Sequence, residues 1–317
     1  MAIDTSIEET ARTTQVNLNY LLPGPKINRR FVSAGVEVNT GKYGPYPTTI
    51  RDGRTIRNHF TFDHHGFQLL DAPTSIADFH DKAEIEAKYQ DEVCAHVRDA
   101  FGASLVVSQG WMLRTSGNIP TSAPDPNSSS PDAPQKPYRH YGGLQPAAGE
   151  VHIDTEPSRQ PAYAQLLYAK ARPNGPGFTR FIMSSFWRAF SPPPQDCPLA
   201  VCDAQSVRDD EGTPNVLWVV DKIPEGEEMF AEMDDDKQLA ASIFEHHERH
   251  RWWYFSRMDR GEGLLFKFHD SDKEGGGGGG CRIRRFGMRV LWGNGRSGRV
   301  LSVGLLRFLS RGGRRER

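Results

Sequence analysis

A chain of 317 residues, 37% of them hydrophobic, is long enough for one large core or two, and nothing in its composition is fibrous. Its 39 basic and 40 acidic residues leave a formal net charge of -1, so the molecule as a whole has no electrostatic pull toward nucleic acid or anionic lipid. No apolar run reaches the roughly 20 residues a membrane-crossing helix needs. Cys94, Cys197, Cys202 and Cys281 form no C-x-x-C pair, which sets aside zinc cages and disulfide frameworks and leaves reduced thiols in the cytoplasm as the expectation.

The opening "MAIDTSIEETARTTQVNLNY" carries acidic residues and no apolar segment, so no secretory or transit signal is predicted. Up to about position 70 the chain is rich in Gly, Pro and Asn, as in "LLPGPKINRRF" and "GKYGPYPTTIRDGR", which predicts short extended pieces joined by turns. From Ser75 the pattern changes. Phe79, Ile85, Tyr89, Val93, Val97 and Phe101 recur at helical spacing, with Ser75 or Asp78 as the N-cap and Gly102 beyond the end.

"SLVVSQGWMLR" follows as a strand, and then residues 120–137, dense in Pro, Ser and Asp, read as a disordered surface insertion that buries too little apolar area to offset its ordering entropy. Short strand-like runs alternate with turns after it: "GEVHID", "FTRFIMSSFWRAF", "PLAVCDAQSV", "NVLWVVDKIP", "RWWYFSRM" and "GLLFKFHD". Many strands with one long early helix predict a mainly β fold with flanking helices (α+β), an antiparallel sandwich or barrel-like roll.

Two ligand-type residues stand out in that series. In "GEVHIDTEP", His152 and Asp154 are two apart, so on a strand they project the same way with Ile153 opposite. Non-haem Fe(II) oxygenases hold iron with two histidines and one carboxylate on one face of an octahedron, and His-x-Asp supplies two of the three. By itself the tripeptide is weak, and reads first as a structural histidine beside a carboxylate.

Three longer stretches, "VHIDTEPSRQPA", "FIMSSFWRAFSPPPQDCPLAVCDAQSV" and "RWWYFSRMDRGEGLLFKFHDSD", resemble the AsaB-type fungal hydroxylase/desaturase family, which includes the fungal gibberellin desaturase and is related to a cephamycin methoxylase component. The resemblance covers roughly positions 149 to 272, and its most specific part is the Trp-Arg pair, the proline-rich turn, Asp-x-Pro-Leu-Ala and Cys-Asp-x-x-Ser-Val. It implies a double-stranded β-helix core, Fe(II) and 2-oxoglutarate as cofactors, and hydroxylation or desaturation of a small-molecule substrate with dioxygen in fungal secondary metabolism. It also implies His152 and Asp154 as the first two iron ligands. The family's distal histidine is expected soon after "FKFHDSD", in a Pro-His-x-Ala-Phe-like run, with an arginine beyond it for 2-oxoglutarate. No histidine follows His269 here. His269 is therefore the substitute third ligand to weigh, and a non-catalytic β-roll is the rival reading. Arg188, in "FWRAF", is the candidate carboxylate clamp for the co-substrate, against a structural arginine stacked on Trp187 or paired with Asp203.

The end of the chain departs from the rest. Eleven arginines and one glutamate fall in 281–317, a formal +10 set against -11 for 1–280, directly after six consecutive glycines. Such a lysine-free, Arg- and Gly-rich stretch is what a GC-rich sequence yields in another reading frame, so 1–280 reads as a single oxygenase-like domain and 281–317 as a tail outside the family fold. The competing reading is a basic arm for nucleic acid, though its arginines lack interleaved aromatics; the apolar run "VLSVGLLRFL" could also pack onto the body as a strand or helix. His246 and His250, four apart in "FEHHERHRWWYF", could share a metal on a helix; a solvated helix end before a strand is the simpler expectation, with Trp252 and Trp253 in the core.

Overall fold

The computed structural model describes residues 10–24, 28–33, 36–115, 144–146, 149–155, 160–195, 197–234, 239–272, 289–291 and 299–309. The predicted insertion at 120–137 and the glycine run at 275–280 lie outside the described residues. In chain order the strands are β1 (Thr13–Leu21), β2 (Asn28–Ser33), β3 (Val36–Asn39), β4 (Tyr43–Asp52), β5 (Phe67–Asp71), β6 (Leu105–Thr115), β7 (Leu144–Pro146) and β8 (His152–Ile153). They continue with β9 (Arg180–Ala189), β10 (Leu199–Cys202), β11 (Thr213–Val219), β12 (Leu239–Ile243), β13 (Trp252–Tyr254), β14 (Glu262–Asp270), β15 (Arg289–Leu291) and β16 (Arg299–Leu309). The α-helices are α1 (Phe62–His65), α2 (Lys82–Glu84), α3 (Gln90–Phe101) and α4 (Gln160–Ala171).

The strands form a ten-stranded sheet, ordered β1-β4-β13-β10-β15-β8-β12-β11-β2-β3, and a six-stranded sheet, ordered β5-β14-β9-β16-β6-β7. Side-chain alternation on β9 explains how the layers assemble. Phe181, Met183, Trp187 and Ala189 pack with Leu18, Ile50, Val201 and Trp252 of the larger sheet, which makes the core between the sheets. Ile182 and Phe186, on the opposite face, pack with Tyr89, Val93 and Val97 under the helix. The smaller sheet is thus buried on both faces, and β9 and β14 are buried throughout or nearly so.

Close packing constrains β14 tightly. A Cβ added at Gly263 would overlap the ring of the fully buried Phe186. Gly263→Ala is therefore expected to cost about 1–3 kcal/mol through overpacking, lowering the urea midpoint at unchanged slope. An unaltered midpoint would show that the Phe186 ring has room to turn away.

The predicted helix forms, but it starts later and carries a wide turn. Asp81 rather than Ser75 or Asp78 caps it, its carboxylate accepting from the N–H groups of Ala83 and Glu84. Ser75 instead donates through its N–H and hydroxyl to Glu92, and Asp78 accepts from the His80 N–H, which holds the preceding residues in turns. Ile85–Tyr89 is a π-helical turn between α2 and α3. The buried residues Ile85, Tyr89, Val93 and Val97 are spaced by four. A helix of about 3.6 residues per turn drifts under that spacing, and the wider turn brings the stripe back toward the sheet. Gly102 ends α3 with φ of 61°, the left-handed conformation glycine adopts most readily.

Two features differ from the sequence reading. Helix α4 was not legible, because its buried residues Gln160, Ala164 and Tyr168 are not an apolar stripe and Leu166 is 63% exposed. The segment set apart by composition, 281–317, contributes to both sheets. β15 lies between β10 and β8, and β16 pairs along its length with both β6 and β9. Val303, Leu305, Leu306 and Phe308 are fully buried, so the apolar run packs onto the body as a strand, one of the two outcomes expected for it. Its arginine count concealed an apolar strand able to fill the middle of a sheet.

Candidate functional site

β8 is only two residues long, yet it is held on every side. His152 stands opposite Ile243 of β12 and Arg289 of β15 in antiparallel ladders. The Val151 N–H donates to Asn19 O at 2.9 Å, the Asn19 amide donates to Gly149 O at 3.1 Å, and the Ser242 hydroxyl donates to Thr155 O at 3.1 Å. A rigid frame therefore carries His152 and Asp154 although the strand itself is short.

The two side chains converge as their spacing predicts, with His152 Nε2 and Asp154 Oδ1 3.3 Å apart. The imidazole Nδ1 lies 2.7 Å from Glu150 O. A carbonyl can only accept, so Nδ1 carries a proton and Nε2 is the nitrogen turned toward the carboxylate. This is the arrangement in which a metal-ligating histidine is oriented by a backbone carbonyl behind it. The imidazole is buried, its side chain 9% exposed, while the Asp154 side chain is 37% exposed. The pair thus has a rigid inner base and a more exposed outer carboxylate.

The other sequence candidates lie elsewhere. A register shift in β14 between Lys267 and His269 pairs Lys267 with Ser184 but His269 with Met183. That bulge reverses the facing that simple alternation gives. Lys267 sits over Phe62 on the helix side, and the His269 ring stacks on Phe181 at 5.0 Å in the inter-sheet core. Among the described residues no group of three or more His, Cys, Asp or Glu side chains could hold a metal, so His269 does not complete a triad with His152 and Asp154. The residue opposite His152 on β15 is Arg289, and arginine offers no lone pair to a metal.

Arg188 packs as a structural arginine, but with Tyr89, Phe186 and Arg260 rather than with Trp187 or Asp203. Fully buried, it donates through Nε to Tyr89 Oη at 3.0 Å and through Nη1 to the Arg260 carbonyl, with its guanidinium 5.4 Å from the Tyr89 ring and 5.3 Å from that of Phe186. It is on the helix face of β9, where it ties the helix to the sheet, and Asp203 pairs instead with Arg251 at 3.0 Å. Parity decides this: Arg188 follows Ile182 and Phe186 onto the face turned away from the inter-sheet core.

The histidine-rich stretch is a loop, not a helix end. His246 stacks on Tyr46 at 4.7 Å and 7°, and His250 stacks on Tyr20 at 5.8 Å and 15°. Trp252 Nε1 donates to the Tyr20 oxygen at 2.8 Å, the Tyr20 hydroxyl lies 3.2 Å from His250 Nδ1, and His250 Nε2 is 2.9 Å from Glu211 Oε2. The donors fit one tautomer, with Tyr20 donating to Nδ1 and Nε2–H donating to Glu211. Burial, reinforced by Arg249, His247 and His246, pushes His250 down to about 3 and keeps it neutral. This chain fixes β1 and the 244–251 loop beside the Asn19–Glu150 bridge. Nothing in the local sequence marks its partners, since Tyr20 and Glu211 are far from His250 along the chain. Trp252 and Trp253 are fully buried, as predicted.

Comparisons with known proteins agree with the fold. The chain is 29% identical over 242 residues to the hydroxylase/desaturase efuI of Hormonema carpetanum, covering 74% of this chain and 75% of that protein. It is 32% identical over 102 residues to the hydroxylase/desaturase asaB of Aspergillus flavus, covering 31% and 41% respectively. Among solved structures, the iron and alpha-ketoglutarate-dependent endoperoxidase NvfI superposes with a TM-score of 0.68 at 19% identity, covering 94% of this chain and 99% of that one. The double-stranded β-helix fold implied by the sequence resemblance is therefore the fold of this chain. No helix among the described residues is long and apolar enough to cross a membrane. A family model matches residues 18–282 and stops just past the glycine run. With that match spanning most of the length, the chain belongs to the family described as the oxidoreductase/YMDC permease-like domain.

Proposed function

We propose that this protein is an oxidoreductase of fungal secondary metabolism that hydroxylates or desaturates a small metabolite, with its reaction centre at His152 and Asp154. The observation that carries the reading is the convergence of His152 Nε2 and Asp154 Oδ1 at 3.3 Å, with Nδ1 turned back onto Glu150 O so that Nε2 is the nitrogen offered to a metal. The names of relatives, hydroxylase/desaturases and an iron and alpha-ketoglutarate-dependent enzyme, supply the reaction class.

Fe(II) fits two ligands here, the imidazole and the carboxylate, and Fe(II) with 2-oxoglutarate would supply the activation of dioxygen. The protein's part is to hold the imidazole edge-on, keep it in one tautomer and shield it from water beneath the ladder. Arg188 is withdrawn as a co-substrate clamp because it serves the helix face. The free thiols Cys94 and Cys202 support a cytoplasmic location. Arg307, buried in β16, is unavailable to a phosphate surface, which weighs against a nucleic-acid arm.

The second reading, a binding or vestigial protein that keeps the roll without turnover, is favoured by Arg289 opposite His152 and by the lack of a third ligand among the described residues. Succinate formed from 2-oxoglutarate, measured with Fe(II)-loaded protein and with Asp154→Ala, separates them. Turnover that depends on Asp154 upholds the oxidoreductase. Bound Fe(II) without succinate would leave only the vestigial reading.

A further inference from the structure

His152 is oriented by the Glu150 carbonyl, so whatever fixes that carbonyl also fixes the histidine. Glu150 O and the Val151 N–H belong to one planar peptide group and point in opposite directions. On one side the carbonyl accepts from His152 Nδ1 at 2.7 Å, and on the other the N–H donates to Asn19 O at 2.9 Å. The Asn19 side chain adds a second bond from the same residue, its amide donating to Gly149 O at 3.1 Å. Asn19 therefore grips the 149–151 segment at both ends from 130 positions away in the chain. The ladders of β8 with β12 and β15 begin at His152 and do not reach back to Glu150.

Asn19 is itself firmly placed. It stands opposite Pro45 within the pairing of β1 with β4, and it meets Glu150 in a parallel bridge. Its neighbours Leu18 and Tyr20 are 1% and 0% exposed, and the Tyr20 hydroxyl is held by Trp252 and His250. Alternation turns the Asn19 side chain away from those two, and it is exposed. Asparagine is disfavoured in strands, so burial and propensity do not account for it, whereas its bond to Gly149 O does give it a task. A peptide group bonded on both sides cannot turn without breaking one of its bonds, and bonds in series strengthen one another. Releasing Gly149 O frees the segment to twist, which carries Glu150 O off Nδ1 and lets the ring rotate.

We propose that Asn19 is a positioning residue for His152, acting through the Glu150–Val151 peptide to fix which way the imidazole faces. Its functional weight rests on His152 being a metal ligand, whereas the orientation is a property of the metal-free chain.

The test uses the full chain with its histidines labelled with 15N, the His152 ring signals being assigned by their loss in His152→Ala. Asn19→Ala removes the amide, and Asn19→Asp keeps the shape but sets an acceptor against the Gly149 carbonyl. Asn17→Asp, exposed on the same face of β1, controls for the added charge. At one fixed pH and without metal, both Asn19 variants should shift the His152 ring signals, Nδ1 most of all, while Asn17→Asp leaves them in place. Tm should move by about 3 °C or less, as for other exposed positions. Fe(II) affinity by anaerobic dialysis should fall about tenfold in the Asn19 variants, the low end of the cost of losing an outer partner. Unmoved ring signals in both Asn19 variants overturn the proposal, whatever happens to Tm. So does an equal shift in Asn17→Asp, or undiminished affinity in a chain whose wild type binds Fe(II). If the wild type binds no Fe(II), the metal reading falls, and the ring signals alone still decide whether Asn19 positions His152.

Discussion

Replacing His152 by alanine is expected to abolish specific Fe(II) binding and, with it, any 2-oxoglutarate turnover. The imidazole is the buried member of the pair, and its ring is oriented by a hydrogen bond from Nδ1 to Glu150 O at 2.7 Å. Metal affinity depends on ligand number, and a site that begins with two protein ligands cannot keep a useful affinity on one. A fall of about 100-fold or more in Fe(II) affinity is the expected scale, beyond the 10–100-fold cost of losing only an outer partner. Stability should change little, because the frame around β8 is built from backbone bonds of Val151, Asn19 and Thr155 that the substitution leaves alone. Equilibrium dialysis with Fe(II) under anaerobic conditions, alongside thermal unfolding, gives both readings. Undiminished iron binding in the alanine variant would remove His152 from the site altogether.

Asp270→Ala should be among the most destabilising single changes in the molecule. Its carboxylate, 2% exposed, holds Arg180 at 2.8 and 2.6 Å and Lys267 at 3.0 Å, and the Lys267 side chain is 4% exposed. Removing the shared anion strands a buried ammonium and a half-buried guanidinium beside the buried Arg307. A loss of about 3–5 kcal/mol is expected from such an uncompensated buried charge. The same carboxylate makes stability pH-dependent. Burial raises its pKa, but the hydrogen bond from Arg180 and the charges of Lys267 and Arg180 outweigh burial and hold it at about 2. An unfolded aspartate titrates near 3.9, so its folded-state value is depressed. The contribution is therefore complete above about pH 4 and disappears as pH falls toward 2. Other groups facing the carboxylate, Asp63, Asp272 and Arg307, shape the same titration. Urea midpoints across that range should decline in the wild type and decline less in Asp270→Asn. Parallel curves for the two proteins would show that Asp270 carries no acid sensitivity.

Both effects depend on residues whose importance was only partly visible in the chain. The His-x-Asp pair was legible because both its members and the carbonyl that sets the tautomer lie within five consecutive positions, 150 to 154, where extended geometry alone brings them together. The Asp270 cluster was not, since Arg180 is 90 positions away and nothing local distinguishes this aspartate from an exposed one.

What the sequence determined by itself was the periodicity. Runs such as Arg180–Ala189 and Glu262–Asp270 alternate or stay apolar throughout, and Ile85, Tyr89, Val93 and Val97 repeat at helical spacing, so strands and helix followed from local sterics and burial. The tertiary structure alone decided which residues meet. Arg188 was sent to the helix by the parity of β9, and His269 was turned toward Phe181 by a one-residue bulge that no pattern announces. His250 found Tyr20 across 230 positions, and a strand from an arginine-rich tail took the centre of the smaller sheet. The reason is physical: periodicity encodes which face of an element is buried, whereas the partner on that face is chosen by register and sheet closure, which depend on the whole chain at once.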